Sequence, residues 1–187
     1  MKPYQKERFE NAVCFFSSEH FKKTKKYPSP THIYKYLAFF EFEVLEETGS
    51  APLELEYKAM DHGPVPYKIW EQRRELKSEL FRFEEYEPDK IIVKALKTPN
   101  LDYFSEYEIE KMNTLIFIFA STWTTAGIMS DASHEKIKAW KKAFTRQKNS
   151  IINMAETFDD LQSRPEGQLT PAEEHFLISQ ALKMAGV

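Results

Sequence analysis

The sequence predicts an α+β fold, mainly α-helical, in which a helical domain carries a small antiparallel β-sheet or hairpin in its middle. Apolar residues recur at three- and four-residue spacing toward both ends of the 187-residue chain. Period-two alternation is confined to the middle, and Pro, Gly, Ser and Thr stand at the boundaries between these patterns. A composition 42% hydrophobic and 14% aromatic, with 15 Phe and 9 Tyr, is too apolar for a disordered chain and implies a bulky aromatic core. The length fits one domain with a small appendage.

Phe9, Ala12, Val13, Phe16 and His20 share one face of a first helix, and Lys22 to Lys26 read as a solvated basic turn after it. Ser29-Pro30 has the form of an N-cap followed by proline at the first helical position. Ile33, Tyr36, Leu37, Phe40 and Val44 make the next stripe, and Gly49 is its stop. Leu53, Leu55, Tyr57 and Ala59 alternate with charged residues as a half-buried strand would. His62-Gly63-Pro64-Val65-Pro66 reads as a turn into a short helix whose buried side is Val65, Ile69 and Leu76. Leu80 to Tyr86 and Lys90 to Leu96 are strands joined through Glu87-Pro88-Asp89, so the expected sheet has three members: Leu53–Met60, Leu80–Tyr86 and Lys90–Leu96. Ser105-Glu106-Tyr107-Glu108 is a capping box opening a helix along Ile109, Met112, Ile116 and Phe119. Thr124 or Thr125 caps a shorter helix ending near Ser133-His134-Glu135, and a basic helical stretch carries Trp140 and Phe144. The polar run Gln162 to Gln168 predicts a linker, and Thr170-Pro171-Ala172-Glu173 opens a terminal helix with a second capping box.

Catalytic chemistry finds little support in these residues. Among the five histidines, His62 follows Asp61 and His134 precedes Glu135, but neither sits in HExxH or paired Cys/His spacing. The lone Cys14 lies in an apolar stretch and reads as a buried structural thiol. The hydroxyls Ser121, Thr122, Thr124 and Thr125 read as helix caps, and no Gly-rich phosphate loop occurs. The expectation is therefore no enzyme, no cofactor and no metal. The N-terminal residues lack an apolar leader, and the run Leu115 to Ala120 is far shorter than the roughly 20 residues of a membrane span. A cytoplasmic protein with no membrane partner is expected.

The net charge of −3 conceals a segregation along the chain. Glu41 to Asp61 holds seven acidic residues against Lys58, whereas His134 to Lys148 holds Lys136, Lys138, Lys141, Lys142, Arg146 and Lys148 against Glu135. Solvated helix faces explain this most simply; the functional reading is a surface that steers a charged partner protein or nucleic acid. Trp140 within the basic run could stack on a base, but at helical spacing with Ile137 and Phe144 it fits the core better.

Four pieces in order resemble the Panacea domain, the domain of SocA-like antitoxins of bacterial toxin–antitoxin systems. They are Lys35-Tyr36-Leu37-Ala38-Phe39 with Gly49; Ala59-Met60-Asp61-His62-Gly63-Pro64-Val65; Ser105-Glu106 through Ile109; and Ser133-His134-Glu135 followed by Trp140-Lys141-Lys142-Ala143. The likeness covers roughly residues 10 to 145 and departs at Ala38, Pro66 and Ser133. It implies a non-catalytic antitoxin that neutralises a cognate toxin, encoded nearby, by direct protein contact. A proteolytic adaptor role ranks second within the same class, a nucleic-acid-binding regulator next and an uncharacterised enzyme third. On this reading residues 1–161 form the Panacea-like domain, 162–169 a linker, and 170–187 a helix packing on the domain or on a partner. The partner-surface or family-motif candidates are His62, Gly63, Pro64, Val65, Trp70, His134, Glu135, Trp140, Lys141 and Lys142.

Overall fold

The structure, a computed structural model, describes residues 4–88, 90–161 and 167–185. In chain order the elements are α1 (Gln5–Thr24), α2 (Pro30–Thr48), β1 (Tyr57–Met60), β2 (Gly63–Pro66), α3 (Tyr67–Gln72), β3 (Phe81–Glu87) and β4 (Lys90–Ala95). They continue with α4 (Glu106–Phe119), α5 (Ala126–Lys136), α6 (Lys138–Arg146), a 3-10 turn (Met154–Thr157) and α7 (Pro171–Met184).

The helix α2 is the axis of the molecule. Every residue from Ile33 to Phe42 is buried, and a helix apolar on all sides has to be covered on all sides. The cover comes from α1, α4, α5 and α7 together with β2 and β4. Its ends follow the sequence signals: the Ser29 side chain accepts from the His32 amide, Pro30 takes the first turn, and Gly49 stops the helix at φ 74°. A Cβ at Gly49 would collide with the backbone of Ala172 and Phe176, so the glycine is also what lets α7 approach. Ring packing fills the interior, with Phe16 stacked on Tyr36 at 4.9 Å and Phe39 on Phe119 at 4.8 Å.

The β-structure differs from the expected three-membered sheet. Two separate antiparallel hairpins form, β1 with β2 and β3 with β4. Gly63-Pro64-Val65-Pro66 is a strand rather than a turn, so Val65 belongs to β2 and not to the helix face, and Leu76 lies beyond the end of α3. The reason lies in who satisfies the backbone. The amides of Leu53 and Leu55 donate to the Glu41 carboxyl at 2.9 and 3.1 Å, which removes that segment from any ladder. The outer side of β1 is instead bonded to residues 149–152, through Ala59 N to Ser150 O (2.9 Å) and Ile152 N to Tyr57 O (2.8 Å). The β4 edge is closed by Ser17, whose hydroxyl donates to Val93 O at 2.7 Å, and by Pro28 O, which accepts from Val93 N at 2.8 Å.

Further corrections are small. The basic turn after α1 begins later than expected, because the helix runs through Thr24. Thr125, not Thr124, caps α5, which continues to Lys136. Both expected capping boxes are present, at Ser105/Glu108 and Thr170/Glu173. Cys14 is buried and its thiol donates to Lys97 O at 3.0 Å. Residues 162–166 of the expected linker and Asp89 of the hairpin connection lie outside the described residues. The described part of α7 seats Phe176 against Leu45, Phe158 and Leu161. Among the described residues no helix is long and apolar enough to cross a membrane.

Candidate functional site

Stretches separated by up to a hundred residues meet where α2 passes beneath the first hairpin. Lys35, in the second turn of α2, is 1% exposed, and its ammonium donates to Pro64 O at 3.3 Å. Gly63 opens β2 at φ 95°, a backbone state that only glycine adopts without strain. A Cβ there would stand 2.6 Å from Lys35 Nζ and would also collide with the Ser133 hydroxyl, so the position has to be small as well as left-handed. Ser133 is fixed by donating to Ser130 O at 2.7 Å. Beside it the His134 ring stacks on Trp140 at 4.1 Å and 6°, and Trp140 Nε1–H donates to Met60 O at 3.1 Å. Trp140 is thus a core residue that clamps the hairpin, as its spacing predicts.

The electrostatics of this junction are those of burial. Desolvation pulls the Lys35 amine from its ordinary value down to about 7. His134 is held below its usual range by desolvation first and then by the Lys35 charge, and its buried Nε2 has no hydrogen-bond partner among the described residues. Six residues further along α2, burial pushes the Glu41 carboxyl up to about 8 against the lowering effect of the amides it accepts from.

Lys35 and Met60 of this junction also line a cleft of about 670 Å³ between the two hairpins and the start of α2. Its walls include His62, Trp70, Arg73, Tyr34, Tyr86 and Ile92. The structure therefore brings the His62–Val65 stretch together with His134 and Trp140, while Trp70 stands on the cleft wall instead. Glu135 and Lys141 are exposed and take no part in the junction's hydrogen bonds. Lys142 holds a different place: it donates to Glu156 O and Phe158 O and pairs with Asp159 at 3.0 Å, pinning the 3-10 turn against α6.

The charge segregation along the chain is largely cancelled in space. Lys138 pairs with Glu46 and Asp159, each at 3.1 Å, Arg146 with Glu156, and Lys148 with Asp61 at 3.1 Å. The acidic and basic stretches are each other's counterions at two of these points. A stronger surface feature was not singled out from the sequence: Phe117 is 79% exposed and Trp123 85%, with Ile118 and Ile128 also exposed. Large apolar residues off the Ile109-Met112-Ile116-Phe119 stripe, and a tryptophan set in a run of hydroxyls, were the available signals. Lys35 and Ser133 belonged to the motif pieces, but nothing in one dimension showed that they face Gly63.

A helical domain with two hairpins, the first held by an internal lysine and a stacked His–Trp pair, defines the class, and the comparisons give its family. The chain belongs to the SocA-like antitoxin family with the Panacea domain, whose family model matches residues 33–141, more than half of the chain. That interval contains the whole junction and the exposed Phe117–Ile128 segment. The family is one of antitoxins and is generally non-catalytic. No curated protein and no solved structure gives a match to the chain.

Proposed function

We propose that the protein neutralises a cognate toxin by direct contact, and that the surface around Phe117, Ile118, Trp123 and Ile128 is where it does so. The exposed aromatics carry this reading. Leaving a tryptophan at 85% and a phenylalanine at 79% exposure sets large apolar areas in water, and such residues are the side chains that anchor protein interfaces. They lie inside the matched family region, at the end of α4, in the connection and in the first turn of α5. The toxin is encoded by a neighbouring gene, and the pair acts in the cytoplasm. Delivery of the toxin to a protease remains the second role of the same surface. Nucleic-acid binding ranks lower, because Lys138, Lys142, Arg146 and Lys148 already have carboxylate partners.

Co-expression with the neighbouring gene product, read by growth rescue and pull-down, tests the proposal. Wild type is expected to rescue growth and to form a stable complex, whereas Trp123→Ala and Phe117→Ala weaken binding by 2 kcal/mol or more, about 30-fold or above, with melting temperatures within about 2 °C of wild type. Rescue that persists unchanged in the double variant would move the interface elsewhere. Specific DNA binding with no protein partner would replace the antitoxin reading by the regulator.

A further inference from the structure

The cleft between the hairpins has no part in the toxin-contact reading, and its polar groups are incompletely used. Lys35 has three N–H donors, and Pro64 O is the one hydrogen-bond acceptor it meets among the described residues. Tyr34 is 4% exposed, lines the same cleft, and its hydroxyl has no hydrogen-bond partner among the described residues. A buried hydroxyl left unpaired is destabilising, so its persistence calls for a partner.

The sign of that partner follows from the charges facing the cleft from each wall. From α2 come Lys35 and His32, and the α2 N-terminus has no acidic residue in its first turn to offset its positive end. From the end of α3 comes Arg73, whose guanidinium donates to Trp70 O, lies over the Trp70 ring, and acts electrostatically on the Tyr34 hydroxyl. The second hairpin offers Lys90, already paired with Glu87 at 2.6 Å. The β1–β2 turn offers His62 and Asp61, and Asp61, the one carboxylate on the cleft wall among the described residues, pairs with Lys148. Among the described residues Lys35 and Arg73 thus have no carboxylate partner. The rest of the lining is aromatic and aliphatic, with Trp70, Tyr86 and Ile92 among it. A volume of about 670 Å³ lies inside the range of small-molecule sites.

We infer that this cleft binds a carboxylate carried on an apolar or aromatic body, with Lys35 and the Tyr34 hydroxyl as donors to the carboxylate and the Trp70 wall against the body. A carboxylate suits the site because one amine with spare donors and one hydroxyl match its two oxygens. A phosphate dianion would call for the cluster of backbone N–H groups or bidentate arginines that such sites use. Here proline at the start of α2 and the Ser29 cap reduce the free amides. The lowered amine of Lys35 agrees with this, since an amine near neutrality gains its proton as an anion arrives. The same chemistry is found on a free aromatic acid and on the C-terminus of a peptide.

The test is calorimetric titration of the full chain with 3-phenylpropionate, with its neutral amide, with acetyl-Ala-Ala-Phe bearing a free C-terminus, with the same peptide amidated, and with inorganic phosphate. At least one acid is expected to bind at least about tenfold more tightly than its amide and than phosphate; which acid does so separates the two sources. Lys35→Met should weaken that acid at least tenfold, provided its circular dichroism and melting match a folded protein. Tyr34→Phe, which removes one oxygen and keeps the ring, should weaken it severalfold and serves where Lys35→Met does not fold. Neither variant should change toxin binding at Trp123, which keeps failure here apart from failure of the toxin reading. Acids and amides binding alike, phosphate binding best, no probe binding at millimolar concentration, or acid binding unchanged in both variants would each overturn the inference.

Discussion

Two buried ionisable residues on the same helix, Lys35 and Glu41, have been accommodated in opposite ways. Glu41 is fully buried and spent: each of its oxygens accepts a backbone amide, from Leu53 and from Leu55, and those bonds replace a missing strand. Lys35 is as deeply buried but underused, with one carbonyl partner and a cleft beside it. A buried polar group whose valences are filled by its own chain is structural, and one whose valences are left over beside a cleft calls for an explanation, which a bound carboxylate would supply.

Removing each group should separate the two roles. The largest effect is expected for Glu41→Ala, which strands two buried amides and leaves a cavity. Loss of about 3–5 kcal/mol in urea unfolding checks it. Glu41→Gln, which sets an amide NH2 against one of those N–H groups, should lose about 1–3 kcal/mol. Gly63→Ala comes next, at about 1–3 kcal/mol, from a strained left-handed backbone and the approach to Lys35 Nζ. In a Lys35→Met background that loss should shrink, and a double-mutant cycle measures the coupling.

Lys35→Met should stabilise the fold, by on the order of 1–3 kcal/mol at pH 6. The sign follows from proton binding. With its amine lowered to about 7 in the folded state, Lys35 binds fewer protons there than in the unfolded chain, so stability rises with pH between about 7 and the ordinary lysine value. The gain from methionine should therefore fade above pH 9, as melting curves across pH will show. Glu41 has the reverse slope: its carboxyl is raised to about 8, so its contribution is present at low pH and is lost as pH climbs from the ordinary carboxylate range through 8. A Lys35→Met variant less stable at pH 6 than wild type would erase the contrast between the two residues. The smallest effect is expected for Lys142→Ala, about 0.5–1 kcal/mol and weaker at high salt, because its pair with Asp159 is largely exposed.

Helix boundaries were the most legible part of the fold. Ser29-Pro30, Ser105 with Glu108, Thr170 with Glu173, and Gly49 act through atoms within a few residues of themselves, so local chemistry decided them. Sheet membership was legible in part: the Leu80–Tyr86 and Lys90–Leu96 strands pair as expected, whereas Leu53 and Leu55 alternate like a strand yet find their acceptor in Glu41 on another element. The junction was half legible. Its pieces stood in the sequence in order, but that Lys35, Gly63 and Ser133 occupy one point is a property of how α2 and α5 pack on β2. The charge pattern shows the same limit from the other side, because Lys148 and Asp61 are far apart in sequence and 3.1 Å apart in the fold.

The all-round enclosure of α2 also has a consequence for synthesis. Its partners are drawn from the whole length of the chain, from Phe16 on one side of it in sequence to Phe176 near the far end. Translation proceeds at roughly 5–20 residues per second, so the interval between the emergence of Leu45 and of Phe176 is on the order of ten seconds. For that time the most deeply buried helix of the nascent chain lacks part of its cover, and the final shape can be reached only after Phe176 has left the ribosome.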